Sequence, residues 1–361
     1  MKNKKYFKIA IISAIILILA ISFYFFLPKK ETKITAKQLT NIQAEGSEFI
    51  SISDYSWSPT EQKIVFVTNE EKGDVIWIVD TKEKNPKKLI ELKRQNFQPK
   101  WSPSGEQIVF VSNKTGKEEI WIMDKNGNNQ KQLTANLKTS SWNPTWSPNG
   151  KKIAYFSAIL TNNNLIIDEL WIINKDDDNQ KMILTDLKGK QKPAWNSDGT
   201  KILFEMTTIE RIYAEMYDLP QELWVINSDG NELKPIIKAG EGQSVNKSSW
   251  LPDNKNIIFM LYDGNSNVDF DYSLWIASID GNNKQKLTDS DNLMDFSLSS
   301  DGKKIAYIAD KNIWIMDSDG KNQKRLTTNN EQNVINYLNW NPDGSSISFI
   351  QDNNIWLLNL K

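Results

Sequence analysis

The sequence predicts an all-β protein, a seven-bladed β-propeller of four-stranded antiparallel blades, preceded by one N-terminal transmembrane helix. The first observation is an internal repeat, because the pattern that begins at Trp101 occurs seven times with a period of 42 to 55 residues. Such a period is typical of solenoids, propellers and arrays. The second observation is that no repeat has the 3.6-residue hydrophobic periodicity of a helix. The third is an uncharged apolar stretch near the N-terminus.

Each repeat contains four short strands, as residues 101–134 show most clearly. The first strand ends at Trp101, and Ser-Pro-Ser-Gly at residues 102–105 favours a tight turn. β-Branched and aromatic residues at 107–112 and 119–124 favour the second and third strands. Asn-Gly at 126–127 favours a type I′ hairpin before the fourth. One such sheet cannot bury its own faces, so we expect the repeats to stack radially.

Tryptophan marks two of the four strands in successive repeats. One set ends the first strand: Trp57, Trp101, Trp146, Trp195, Trp250 and Trp340, with Leu298 in the sixth repeat. The other set lies in the third strand: Trp77, Trp121, Trp171, Trp224, Trp275, Trp314 and Trp356. Burying one indole removes about 150–250 Å² from water. We therefore expect these rings to form the core between blades.

Two segments carry a family resemblance. Residues 146–155 read WSPNGKKIAY, and residues 313–320 read IWIMDSDG and are followed by Leu326 and Thr327. These runs resemble the WD40-like (PD40) β-propeller repeat, which is found in the propeller of TolB proteins of the Tol-Pal system. The resemblance implies the propeller fold. It is much less specific for function, because this repeat serves many unrelated proteins.

Residues 1–30 are predicted to be an uncleaved membrane anchor. Lysines precede residues 9–27, which carry no charge. As a helix at about 1.5 Å per residue, this stretch is close to the ~30 Å hydrocarbon thickness. Its exit around Phe25 and Pro28 is bulky, whereas signal peptidase sites have small residues. We expect a single-pass cell-membrane protein whose propeller, residues 31–361, lies outside the cytoplasm.

The last repeat has only three strands, and the N-terminal side offers the fourth. Residues 37–40 read KQLT, as do residues 131–134 in the fourth strand of the second repeat. We therefore expect residues 34–41 to complete the C-terminal blade. Such a closure removes two exposed sheet edges, which otherwise invite aggregation.

The repeats differ mainly between the second and third strands, where repeats three to five carry acidic and aromatic insertions. We expect these loops to form a raised wall on one face of the ring that contacts a protein or peptide ligand. The candidate contact residues are Glu210, Tyr213, Tyr217, Asp218, Tyr262, Asp269, Phe270 and Tyr272. The alternative is that the rings pack on one another and the charges are solvated.

The composition argues against several kinds of site. The chain has no cysteine and no histidine, which removes disulfides, Ser-His-Asp and Cys-His catalysis and most zinc sites. The acidic turns at residues 176–178 and 317–322 lack EF-hand spacing, so we predict no metal and no cofactor. Acidic residues outnumber basic ones after residue 30, which argues against nucleic-acid binding.

The expected function is a monomeric, non-enzymatic binding scaffold at the cell envelope, without catalytic residues. The alternative is an enzyme that acts on polysaccharide through carboxylates alone, since glycoside hydrolysis requires two acids about 5–10 Å apart. Asp54 and Asp295 are the acids near the ends of the first strands, which are expected to line the propeller axis.

Overall fold

A computed structural model describes residues 36–41, 51–70, 73–91, 95–134, 139–160, 166–176, 179–187, 192–207, 221–240, 242–262, 272–288, 292–328 and 334–360. These residues form seven four-stranded antiparallel sheets, which confirms the predicted propeller. The predicted anchor lies outside the described residues and stays a prediction. Within the described part of the chain, no helix has the length and apolar character needed to cross a membrane.

Every blade runs from an inner to an outer strand, and blades are numbered by their first strand. The inner strands are β2 (Ser51–Trp57), β6 (Asn96–Trp101), β10 (Ser140–Trp146), β14 (Ala194–Trp195), β18 (Ser244–Trp250), β22 (Leu293–Leu298) and β26 (Ile335–Trp340). The second strands are β3 (Lys63–Asn69), β7 (Gln107–Ser112), β11 (Lys152–Leu160), β15 (Lys201–Met206), β19 (Asn256–Tyr262), β23 (Lys304–Ala309) and β27 (Ser346–Gln351).

The remaining strands form the outer half of each blade. The third strands are β4 (Val75–Asp80), β8 (Glu119–Asp124), β12 (Ile166–Asn174), β16 (Glu222–Asn227), β20 (Tyr272–Ser278), β24 (Asn312–Asp317) and β28 (Asn354–Asn359). The outer strands are β5 (Lys87–Glu91), β9 (Lys131–Gln132), β13 (Gln180–Leu187), β17 (Lys234–Ile237), β21 (Gln285–Lys286), β25 (Lys324–Arg325) and, in blade 7, β1 (Ala36–Gln38).

Strand β1 comes from the N-terminal side of the chain and pairs antiparallel with β28, the last strand. Leu39 N–H then donates to the Ile355 carbonyl at 2.8 Å, and Ile355 N–H donates to Thr40 Oγ1 at 2.9 Å. Blade 2 repeats both bonds between Ile120 and its own Leu-Thr pair, at 2.8 and 2.9 Å. The Leu-Thr pair of β1 therefore does in blade 7 what the same dipeptide does inside a continuous blade.

The tryptophan that ends an inner strand joins its blade to the blade before it. Trp250 is buried, and its Nε1–H donates to the Ala194 carbonyl at 3.0 Å. The equivalent bonds of Trp146, Trp195 and Trp340 measure 3.2, 3.3 and 3.0 Å. Among the described residues, six hydrophobic clusters each combine side chains from two neighbouring blades. The inner-strand tryptophans therefore belong to the core, as the repeat predicts.

The third-strand tryptophans are less enclosed than the sequence suggests, because all but Trp121 are half-buried. Each pairs in register with an aromatic residue of the second strand, as Phe66 does with Trp77. Two of these half-buried rings lie under lysine ammonium groups: Lys88 Nζ is 5.2 Å from the Trp77 ring centre, and Lys284 Nζ is 4.8 Å from that of Trp275. Cation–π contact of this kind stabilises a ring that cannot be fully buried.

The outer strands are short and carry basic side chains, and both features oppose pairing with another chain. Five of them contain no more than four residues. Each carries at least one basic side chain: Lys37, Lys87, Lys131, Lys181, Lys234, Lys286 and Arg325. Short, lysine-bearing edges resist pairing with another chain, so the outer rim of the propeller has its own protection against aggregation.

The indole bond between blades can be tested with two tryptophans that differ in one contact. Trp250→Phe should lower the free energy of unfolding more than Trp101→Phe, by about 1 kcal/mol. Both changes remove ring volume, but Trp101 Nε1 is buried without a hydrogen-bond partner among the described residues, so only Trp250→Phe leaves a carbonyl unpaired. Chemical denaturation measures the difference, and equal losses would contradict a role for this bond.

The strand that completes blade 7 can be tested by deletion. Removing residues 34–41 should lower the melting temperature or cause aggregation, because β28 would become an exposed edge. Differential scanning calorimetry and light scattering measure the two effects. Thr40→Val, which removes the acceptor of the Ile355 N–H bond, should destabilise in the same direction by a smaller amount. An unchanged melting curve for the deletion would show that the ring does not depend on β1.

Candidate functional site

A cavity with a volume of about 1180 Å³ lies on the propeller axis. We call it the axial chamber. All seven blades contribute to its wall, mainly through the first halves of their inner strands. Small-molecule sites are typically clefts of about 300–1,000 Å³ with a few convergent polar groups. The axial chamber is large enough for a chain of several sugars or a short peptide.

One position of the repeat supplies a ring of polar side chains to the chamber. The position is the third before the residue that ends the inner strand, and we call the set the axial ring: Asp54, Gln98, Asn143, Lys192, Lys247, Asp295 and Tyr337. The ring mixes carboxylates, ammonium groups, amides and a phenol. The axial ring is therefore a position of the inner strands at which the blades differ chemically.

A β-bulge places these side chains at the axis. The pairing between the first and second strands shifts register at this point in blades 1, 2, 3, 5, 6 and 7. Gln98, Asn143, Lys247 and Tyr337 have φ between 43° and 56°, a region that non-glycine residues rarely adopt. Pro99 and Pro144, which lack a ladder N–H, follow two of them. Bulges commonly re-aim side chains beside functional sites.

Two lysines of the chamber are neutralised by aspartates of adjacent blades. Lys100 Nζ lies 3.1 Å from both carboxylate oxygens of Asp54. Lys247 forms an ion pair with Asp295, and the same carboxylate accepts the N–H groups of Phe296 at 2.9 Å and Leu338 at 2.7 Å. Burial lowers the pKa of Lys100, although Asp54 acts in the opposite direction.

Lys192 differs from these two lysines. It is exposed in the chamber wall and forms no hydrogen bond or ion pair with any residue that the structure describes. Its positive charge nevertheless acts on the titration of Glu205, Lys100 and Tyr337. An ammonium that has no ion-pair partner among the described residues, in a concave polar site, is suited to an anionic group of a ligand.

Glu205 is a buried carboxyl in the chamber wall, only 4% exposed. Its Oε1 accepts the hydroxyl of Ser248 from blade 5. Burial raises the pKa of Glu205, and the Ser248 hydrogen bond and the Lys192 charge only partly oppose that effect. A carboxyl with a raised pKa in a cleft is a candidate proton donor.

The remaining wall residues offer apolar faces and amides. Phe97 and Tyr337 present rings, and Gln98 and Asn143 bond to each other, with Asn143 N–H donating to Gln98 Oε1 at 2.7 Å. Side chains of this mixture suit ligands that carry many hydroxyl groups and some apolar surface. The described residues contain no group of three or more His, Cys, Asp or Glu side chains placed to hold a metal ion.

Only part of the predicted contact wall can be located. Tyr262 and Tyr272 are described, pair in register between β19 and β20, and pack with their ring centres 5.7 Å apart. This contact between the two rings does not test whether they also meet a ligand, so their role stays a prediction. The other six candidates lie outside the described residues: Glu210, Tyr213, Tyr217, Asp218, Asp269 and Phe270. A protein or peptide ligand on that face stays a prediction.

Sequence reasoning placed Asp54 and Asp295 at the axis, and both line the chamber. It missed Glu205, because that residue lies in a second strand. Aligning the seven repeats would have revealed Glu205 as a charged residue at an otherwise apolar position. The residue after the second-strand aromatic is apolar in the other six blades, and we call the set of seven the second-strand column: Val67, Val111, Phe156, Glu205, Met260, Ile308 and Ile350.

Several solved structures share this fold at low identity. Oligogalacturonate lyase from Vibrio parahaemolyticus is 13% identical with a TM-score of 0.68, and the match covers 92% of this chain and 95% of that one. An oligogalacturonate lyase in complex with manganese is 14% identical with a TM-score of 0.71, covering 92% and 94%. TolB from Acinetobacter baumannii is 16% identical with a TM-score of 0.51, covering 89% and 65%.

These matches confirm the resemblance to TolB-type propellers and correct one expectation. The prediction that the chain is not an enzyme rested mainly on the absence of histidine. Lyases that match over nearly their whole length show that a propeller of this size needs no attached domain to be an enzyme, so that prediction is wrong. Among the described residues of this chain, no group of three or more His, Cys, Asp or Glu side chains is placed to hold a metal ion such as the manganese of the second lyase.

The sequence comparisons place the chain in a family. No curated protein matches it significantly. The model of the dipeptidyl peptidase IV N-terminal region matches residues 251–336. The model of the tricorn protease N-terminal β-propeller domain matches residues 55–260, which is more than half of the chain. The chain therefore belongs to the family of the tricorn protease N-terminal β-propeller domain.

Proposed function

We propose that this protein binds an anionic oligosaccharide of the uronate class in the axial chamber and cleaves it. The observation that carries the proposal is Lys192, the lysine of the axial ring that no described carboxylate neutralises. Lys100 and Lys247 each have an aspartate partner within the protein. A ligand carboxylate next to Lys192 would give the third lysine the partner that the other two already have.

The rest of the chamber fits a sugar chain. Its volume exceeds that of a single monosaccharide site, and its amides and rings can contact hydroxyl groups and the apolar faces of pyranoses. Two structures with the same fold are named as lyases of oligogalacturonate, a chain of uronate sugars. At 13–14% identity this likeness shows the fold alone. The ligand class is supported separately by the positive charge of Lys192, which suits the carboxylate of a uronate sugar.

Binding can be tested with trigalacturonate as the probe. The protein should bind it measurably by isothermal titration calorimetry, and Lys192→Gln should weaken binding about tenfold or more, because a charge-assisted contact in a partly enclosed site is lost. Lys303→Gln, which changes an exposed lysine in the turn between β22 and β23, should leave the affinity unchanged.

An uncharged trisaccharide provides the ligand control. It should bind more weakly than trigalacturonate to the unaltered protein, and the difference should largely disappear in Lys192→Gln. Cleavage is followed by chromatography of the products after long incubation. Absence of trigalacturonate binding, or equal binding by Lys192→Gln, would remove the axial chamber as an anionic sugar site.

A further inference from the structure

In the second-strand column, one blade has a charged residue where the other six have an apolar one, and burying that residue is energetically unfavourable. Six of its members are buried apolar side chains, five of which belong to clusters that join two blades, and the seventh is Glu205. Placing a carboxyl in such a position is unfavourable unless it is well paired. Glu205 forms no ion pair with any described residue, and its hydrogen bonds come from the Ser248 hydroxyl and from the backbone N–H groups of Ser248 and of Glu205 itself. Stability alone therefore does not account for a glutamate here.

The hydrogen bond from Ser248 fixes the orientation of this carboxyl. Ser248 belongs to β18 of blade 5, and Glu205 belongs to β15 of blade 4, so the bond crosses a blade boundary at the chamber wall. It occupies Oε1. Glu205 also lines the chamber, so the oriented carboxyl is within the cavity wall.

Lys192 and Glu205 lie at the same end of blade 4. Ala194 of β14 pairs with Leu203 of β15. Lys192 precedes Ala194 by two residues and Glu205 follows Leu203 by two, so both extend the ladder in the same direction, and both line the chamber. A ligand carboxylate bound to Lys192 would therefore bring the adjacent part of the sugar chain to Glu205.

We infer that Glu205 donates the proton to the departing glycosidic oxygen during hydrolysis, and that Lys192 positions the substrate by holding its carboxylate. This inference rests on the proposed function. It assigns a catalytic residue and a positioning residue to the chamber, where the sequence alone had pointed to Asp54 and Asp295.

The chemical step uses water as the second reactant. The bond between the anomeric carbon and the glycosidic oxygen breaks, and its electron pair stays on the oxygen, which takes the proton of Glu205. The water oxygen bonds to the anomeric carbon and releases one proton to solvent. Glu205, now a carboxylate, regains a proton from solvent. One carboxyl acting as acid is half of the two-carboxyl pattern of glycoside hydrolysis.

Lys192 also couples binding to protonation. Its positive charge lowers the pKa of Glu205, while burial, the larger effect, raises it. A substrate carboxylate that neutralises Lys192 removes the lowering effect, so the Glu205 pKa rises when substrate binds. The carboxyl is then protonated more fully in the complex than in the free protein, which is the state that a general acid requires.

Glu205→Gln separates this inference from the proposed function. It should bind trigalacturonate with an affinity within about threefold of the unaltered protein, while its cleavage rate falls by about 10²–10⁴-fold, the usual contribution of general acid catalysis. Glu232→Gln, an exposed glutamate change in the same blade, is the matched control and should cleave normally. Products are identified by mass spectrometry as saturated sugars that have gained water.

Lys192→Gln supplies a readout that a purely structural role would not change. The fall of kcat/KM with rising pH should shift to higher pH in this variant, because kcat/KM follows the free protein and Glu205 loses the charge that lowers its pKa. KM should rise at the same time. An unshifted pH profile would contradict the coupling between Lys192 and Glu205.

The outcomes distinguish the binding of an anionic sugar by the chamber from the role of Glu205 as the proton donor. Failure of the unaltered protein to bind trigalacturonate overturns the proposed function and this inference together. Normal cleavage by Glu205→Gln, or an unsaturated product, which would indicate elimination, overturns the inference and leaves the binding site standing. Loss of cleavage in Glu205→Gln with retained binding supports both.

The melting temperature of Glu205→Gln shows whether the variant stays folded and whether the ionised Glu205 carboxyl destabilises the protein. The raised pKa of Glu205 means that the ionised carboxyl destabilises the folded state, and that this penalty appears as pH rises through the folded-state pKa. Glu205→Gln should therefore melt at a higher temperature than the unaltered protein near pH 8. The difference should shrink as pH falls towards the ordinary glutamate pKa of about 4.3. A lower melting temperature at pH 8 would show that the carboxylate stabilises the fold and would contradict its assignment as a strained acid.

Discussion

The propeller depends on the indole that ends the inner strand of six blades. This ring fills the boundary with the preceding blade, and in four blades its N–H satisfies a carbonyl there. The contact combines a large buried apolar area with one directional bond, so it fixes both the spacing and the rotation of neighbouring sheets. At the seam, Trp57 donates instead to the Ser348 hydroxyl of blade 7 at 2.7 Å.

The same inner strands also carry the side chains of the axial ring, whose chemical character differs from blade to blade. In six blades a bulge near the third residue before the strand end turns one side chain towards the axis, and the backbone tolerates this because the ladder resumes on either side. The core between blades constrains the aromatic and aliphatic positions. The axial ring faces a chamber rather than a packed neighbour, so it accepts a carboxylate, an amide or an ammonium without disturbing the stack.

Blade 4 is where the repeat departs furthest from its own pattern. It supplies Lys192, which no described group neutralises, and Glu205, which replaces an apolar side chain in the second-strand column. Burial of the Glu205 carboxyl costs stability, and the two residues lie at the same end of one pair of strands. A buried carboxyl that opposes stability in a repeat protein, and that shares a cavity with a lysine lacking a described partner, is better explained by a ligand than by the fold.

The sequence by itself determined the number of blades, the strands and the tryptophan core, because these follow from local periodicity repeated along the chain. It also indicated Asp54 and Asp295, since both lie at a fixed distance from a recognisable strand end. Only the tertiary structure decided which charges are neutralised: Asp54 meets Lys100 of the next blade, Asp295 meets Lys247 of the blade before, and Lys192 meets neither. Those partners come from different repeats, so which charges meet at the axis depends on the closure of the ring, and no single repeat contains that information.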